Sequence, residues 1–176
     1  MTALRIAAKK NNHEIANLIL KKTGTENCCD SFHDCQSLTR FAIPSTVTEI
    51  EDNAFCNCTL LTKIMIPSTV VKIGSQSFKS CESLLHITIP STVKIIGESS
   101  FSNCKKLTEI IIPSSVTRIE ESTFQSCENI QQVKIPSSIT TIEKSAFEDC
   151  KSLKKIKIPS SVMNVSDRAF CNCVSL

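Results

Sequence analysis

Apolar side chains return to the same places along this chain every 23 residues. Ile43, Val47, Ile50, Phe55, Cys58, Leu61 and Ile64 form one set, and the following stretch repeats it position for position. Proline stands at 44, 67, 90, 113, 136 and 159, phenylalanine at 32, 55, 78, 101, 124, 147 and 170, and cysteine at 35, 58, 81, 104, 127, 150 and 173. Three residue types that hold one step over so many positions define an internal repeat. One unit reads IPSTVTEIEDNAFCNCTLLTKIM, residues 43–65. Five complete units run over 43–157, after a half unit from about Cys28 and before an incomplete one, Ile158 to Leu176.

Within Leu61–Ile66, Ile64 and Ile66 lie two apart, which predicts a strand with one face turned inward. Val47–Ile50 predicts a second short extended or turning segment. Pro67 stands just past the first strand, where its missing N–H stops the ladder. The Ser-Thr or Ser-Ser pair behind each proline supplies turn-forming hydroxyls. A lone unit holds too few large apolar side chains to offset the ordering of its own backbone. Stacking resolves this, because parallel strands about 4.8 Å apart let neighbours share their faces. Like side chains then line up in columns: a phenylalanine spine, a cysteine ladder and an Ile/Leu stripe. The expected fold over 28–176 is a repeat solenoid, mainly parallel β with short turns or helical turns. Ahead of it, Leu4, Ala7 and Ala8, then Ile15, Leu18 and Ile19, have helical spacing around an Asn11-Asn12 turn. They predict a small α-helical hairpin over 1–24.

The repeating pattern Cys-x-x-Leu-x-x-Ile-x-Ile-Pro-x-x-Val-x-x-Ile-x-x-x-x-Phe, legible from Cys58 to Phe78 and in each later unit, resembles the BspA-like leucine-rich repeats. The resemblance covers about residues 28–176. It implies a leucine-rich-repeat solenoid and an association with surface antigens, adhesion and protein binding. The segment from Thr2 to Leu20 is similar to one ankyrin repeat, although Ala3, Arg5 and Asn11 stand where that family prefers Pro, His and Gly. Asn11 still tolerates a left-handed turn. Both ends are expected to be cut from a longer ankyrin and leucine-rich-repeat protein. An unpaired last coil would offer a strand edge for end-to-end self-association.

Charge and composition narrow the partners. Apolar residues make up 41%, and the net charge is only +3, a balance that does not point to nucleic acid or an anionic membrane. The aromatics are eight Phe with no Trp or Tyr, unlike a base-stacking surface. No apolar run reaches membrane-helix length, so no membrane insertion is expected. The start of the chain lacks the basic-then-apolar pattern of a secretory leader. The 11 Cys, read as free thiols, favour a reducing, cytoplasmic compartment, whereas the family likeness suggests a cell surface.

The cysteine ladder reads first as small buried side chains rather than reactive groups, and a stacked column sets thiols alongside each other rather than face to face. Cys28, Cys29, His33 and Cys56 are conceivable as a zinc or redox cluster, but their spacing matches no paired-Cys motif. Cys56 and Cys171 share a column five units apart. His13 and His86 are isolated, no Ser-His-acid set recurs, and Glu51, Glu120 and Glu143 are expected in an outward column. No catalytic site, cofactor or metal is therefore assigned, and the chain is read as no enzyme. The strand instead offers two outward columns. One is Arg40, Lys63, His86, Glu109, Gln132 and Lys155. The other is Ala42, Met65, Thr88, Ile111, Lys134 and Lys157. They vary where the core columns do not. The leading expectation is a protein–protein interaction scaffold that binds through this face. A structural spacer and the N-terminal Cys cluster as a metal- or redox-responsive module remain as alternatives.

Overall fold

The computed structural model describes residues 32–176. The segment 1–24, read as a helical hairpin, lies outside them. Each coil carries two short strands, except that the coil of His86 carries one and an isolated bridge. On one side run β1 (Arg40–Ala42), β3 (Lys63–Met65), β6 (Glu109–Ile111), β8 (Gln132–Lys134) and β10 (Lys155–Lys157). On the next side run β2 (Glu49–Ile50), β4 (Lys72–Ile73), β5 (Ile95–Ile96), β7 (Arg118–Ile119), β9 (Thr141–Ile142) and β11 (Asn164–Val165). Every pairing is parallel and every registered pair is one 23-residue unit apart, as in Ile64 with Phe41 and Val133 with Ile110. A pairing between neighbours of one sequence period can only be parallel, so the stacked solenoid follows from the repeat.

The core is the set of inward columns. Phe32, Phe55, Phe78, Phe101, Phe124 and Phe147 are fully buried. Their rings form one continuous stack with centroids 4.9 to 5.6 Å apart, and Phe170 extends it at 5.4 Å. Phe41 occupies the isoleucine column of the first described coil and packs on Phe32 at 4.6 Å. This spacing also measures the advance per coil.

No helix occurs among the described residues: of the short turns or helical turns expected, turns connect the strands and helical turns do not. Two residues per coil forbid them. Asn53 and Asn57, and their counterparts one unit on, sit at φ between 53° and 60°, in the left-handed region. A right-handed helix cannot run through such positions. The first column reads Asn53, Gln76, Ser99, Ser122, Ser145 and Arg168, and the second Asp34, Asn57, Ser80, Asn103, Ser126, Asp149 and Asn172. The second is wholly Asp, Asn and Ser, the short polar residue types that tolerate this conformation by bonding locally. Asn57 Nδ2 donates to the Asp34 carboxylate at 3.0 Å, and Asn172 to Asp149 at the same distance.

The hydroxyls behind each proline bond between coils. Thr69, Thr92, Ser138 and Ser161 each donate to a valine or isoleucine carbonyl of the preceding coil at 2.7 to 2.8 Å, and Ser115 does the same. The turn itself is closed by backbone bonds such as Val70 N–H to the Pro67 carbonyl at 3.1 Å.

Candidate strand-face site

In the five paired strands of the first side, the central residue points inward and the outer two point away, with β1 and β10 only partly following. Phe41, Ile64, Ile110 and Val133 are buried, while Ile156 in β10 is half-buried. Arg40, Lys63, Met65, His86, Thr88, Glu109, Ile111, Gln132, Lys134, Lys155 and Lys157 are all exposed. The registers set Arg40 beside Lys63, Glu109 beside Gln132, Gln132 beside Lys155 and Lys134 beside Lys157. Ala42 is the exception, half-buried at the first coil. Met65 and Ile111 stand 55% and 57% exposed, large apolar side chains held out of the core by strand alternation alone.

The continuous strand column expected through His86 and Thr88 is interrupted there. His86 makes one isolated bridge with Lys63, and no strand joins it to β6. The backbone bonds on either side are stretched. Leu85 N–H to the Thr62 carbonyl and Thr108 N–H to the Leu85 carbonyl both measure 3.4 Å, against 2.8 Å for Thr62 to Thr39. Leu85 is the one apolar residue of a column that reads Thr39, Thr62, Leu85, Thr108, Gln131 and Lys154. Thr62 donates its hydroxyl to the Thr39 carbonyl at 2.9 Å, a bond leucine cannot make. Two open recesses flank this coil. One of about 570 Å³ is lined by Arg40, Lys63, Met65, Leu85, His86 and Thr88 among others. A smaller one of about 230 Å³ lies between His86, Thr88, Glu109 and Ile111.

The ion pairs of the described residues lie elsewhere. Glu82, Lys105, Glu128 and Lys151 form one column of alternating sign, with Lys105 Nζ 2.8 Å from Glu82 and Lys151 Nζ 3.0 Å from Glu128. Glu82 also raises the Lys105 ammonium above its ordinary range. Lys72 pairs with Glu49 and Lys144 with Glu121. The outward column expected for Glu51, Glu120 and Glu143 is half-buried instead. Glu143 accepts from the Arg118 guanidinium and, at 3.1 Å, from the Ser166 hydroxyl. Glu148 is buried and accepts from Arg168, which holds its carboxyl below the usual range. A charge one repeat period away is a spatial neighbour, so these pairs were visible in the sequence at offsets near 23.

The cysteine ladder does more than fill space. Cys58, Cys81, Cys104, Cys127, Cys150 and Cys173 each donate a thiol hydrogen bond to the phenylalanine carbonyl of the preceding coil, at 3.1 to 3.3 Å. Burial pushes the thiols of Cys58, Cys81, Cys104, Cys127 and Cys150 well above their ordinary range, and the neighbouring ladder sulfurs add to it. A protonated, desolvated thiol is a poor nucleophile and a poor metal ligand. None of the nine described cysteines is in a disulfide. Of the N-terminal cluster, Cys28 and Cys29 lie outside the described residues. Cys56 is buried, and His33 Nδ1 lies 3.0 Å from the Asp34 carboxylate. Among the described residues no group of three or more His, Cys, Asp or Glu could hold a metal ion. No described helix is long and apolar enough to cross a membrane.

Comparison with known proteins agrees with this architecture. The family described as BspA type leucine rich repeat region matches two overlapping stretches, residues 7–130 and 48–176, with 6 copies. The crystal structure of a leucine-rich repeat protein from T. pallidum superposes with a TM-score of 0.81 at 31% identity, over 84% of this chain and 69% of that one. A leucine rich cell surface protein from Faecalibacterium prausnitzii gives 0.73 at 38% identity, over 79% of this chain and 38% of its own. A leucine-rich repeat protein from Bacteroides ovatus gives 0.63 at 29% identity, over 79% and 42%. The chain thus spans less than half the length of the latter two. No curated protein matches it by sequence. The ankyrin likeness of residues 1–24 gains no support from these matches, the first of which begins at residue 7. Repeat period, parallel register and superposition agree: the chain belongs to the BspA-type leucine-rich repeat family.

Proposed function

We propose that the chain is a non-enzymatic protein-interaction scaffold whose binding surface is the exposed face of β1, β3, β6, β8 and β10. The observation that carries this reading is the contrast within each strand. The inward residue stays apolar from coil to coil, whereas the outward residues vary in chemistry along the face, from Met65 through Thr88 and Ile111 to Lys134. Met65 and Ile111 stand exposed on this face beside two recesses, which offers a partner apolar anchor points. The surface setting named for the Faecalibacterium prausnitzii relative supports an adhesive or antigen-like role.

The test is charge reversal at Lys134, Lys155 and Lys157, each exposed and outside the core. Partner capture should weaken with thermal stability unchanged. Undiminished binding by the folded variant would move the site off this face and favour a spacer role. As a second reading, β10 and β11 each pair on one side only, which favours end-to-end association of this 176-residue chain. Sedimentation across a concentration range tests it, since a monomer at all concentrations would remove it.

A further inference from the structure

The net positive charge of the whole chain is gathered on the strand face, and it is gathered in two places. The face carries Arg40, Lys63, Lys134, Lys155 and Lys157 against the single acid Glu109, while the rest of the sequence holds fifteen Lys and Arg against sixteen Asp and Glu. None of those five cations takes part in an ion pair among the described residues. Elsewhere Lys72, Lys105, Arg118, Lys144, Lys151 and Arg168 do, while Lys79, Lys94, Lys106 and Lys154 do not. Unpaired cations side by side, such as Lys134 beside Lys157, repel one another and are relieved by an anion. Between the two clusters lie Met65, the recess at His86 and Thr88, and then Glu109 with Ile111.

This layout selects a partner. A polyanion of uniform charge would set phosphates or sulfates against Glu109 and leave Met65 and Ile111 in contact with charge. An extended protein segment with acidic residues at both ends and an apolar middle meets every part of the face at once. We infer that the strand face binds such an acidic–apolar–acidic segment, running across the coils, with its apolar side chain seated in the recess beside His86. The inference rests on the scaffold reading above and names the partner chemistry of that same surface. The spacing follows from the coil advance. Phe55, Phe78, Phe101 and Phe124 are stacked at 5.3, 5.3 and 5.6 Å, and three such steps separate β3, which carries Lys63, from β8, which carries Lys134. That is roughly 16 Å, which about five residues span when extended at about 3.3 Å each.

The probe is a synthetic peptide with two Asp-Glu pairs separated by about five neutral residues around a central Leu, a spacing set by the strand rise. Its binding to the full chain is read by fluorescence anisotropy, and the surface it covers by amide hydrogen exchange. Comparison peptides hold the same residues with the acids moved together, or have lysines in place of the acids. The spaced peptide should bind about tenfold tighter than the clustered one, as three or so exposed charge pairs allow. It should protect β3, β6 and β8 from exchange and weaken as salt rises. Lys134→Glu with Lys155→Glu should remove the preference, and Glu109→Lys should let the clustered peptide bind as well as the spaced one. If extended peptides protect the face regardless of acid content or spacing, this inference falls and the scaffold reading stands. If no peptide touches the face, both fall. If a heparin fragment or anionic phosphatidylserine vesicles outcompete the spaced peptide, the partner is a polyanion and the inference is overturned.

Discussion

Replacing Phe101 with alanine removes one ring from the middle of the stack. Phe101 is wholly buried, and its ring lies 5.3 Å from Phe78 and 5.6 Å from Phe124, nearly parallel to both. Truncating a core phenylalanine costs about 3–5 kcal/mol through lost transfer and the cavity left behind. Each aromatic contact adds about 0.5–1.5 kcal/mol beyond buried area, and two are lost here, so the upper part of that range is expected. Phe170 is only half-buried and has a single ring neighbour, Phe147, at 5.4 Å. Its truncation should cost about half as much, on the order of 2 kcal/mol. A domain of this size is stable by only about 5–15 kcal/mol, so the interior change is severe. Coils touch only their neighbours, so a weakened interior coil should also separate the array into two units that melt apart. Urea unfolding followed by circular dichroism reads both effects. Phe101→Ala should lower the midpoint more than Phe170→Ala and also reduce the slope. An equal or smaller cost at Phe101 would refute the claim that adjacent coils share one core.

Four further outcomes follow from the same geometry. Cys58, Cys81, Cys104, Cys127 and Cys150 should resist alkylation in the native protein, and modification of Cys104 before unfolding would contradict its burial. Burial raises these thiols while unfolded thiols ionise near pH 8.5, so above that pH the unfolded chain binds fewer protons. Stability should then be flat below about pH 8 and fall at about 1.4 kcal/mol per pH unit per thiol above it, seen as a falling melting temperature in alkali. The hydroxyls of Ser77 and Ser100 are buried without a hydrogen-bond partner, in a column that holds Ala54, Ala146 and Ala169. Ser77→Ala with Ser100→Ala should raise stability by about 1–3 kcal/mol per site, and a lower denaturation midpoint would show that the hydroxyls are satisfied. Lys105→Glu would place three acids in succession in the alternating column. It should lower the melting temperature at low ionic strength and lose most of that effect in high salt, whereas a salt-independent loss would point to packing.

A 23-residue period carried most of the architecture into view, because repetition turns a fixed sequence offset into a spatial contact of about 5 Å. Parallel register, the phenylalanine spine, the buried cysteines and the outward-facing Lys63, Glu109 and Lys134 all follow from that single rule and strand alternation. Local chemistry that departs from the average coil did not follow. The open ladder at His86, where two backbone bonds through Leu85 measure 3.4 Å, belongs to that one coil and is not set by the period. The thiol bonds to phenylalanine carbonyls need the turn between Phe and Cys to aim each sulfur at the coil before it. The half-burial of Glu143 needs the Arg118 and Ser166 side chains of adjacent coils to close over it. The net charge of +3 concealed a face with five cations and one acid, because a sum over the chain has no direction. Periodicity sets which residues are neighbours, and only the folded backbone sets where their side chains point and which are left without a partner.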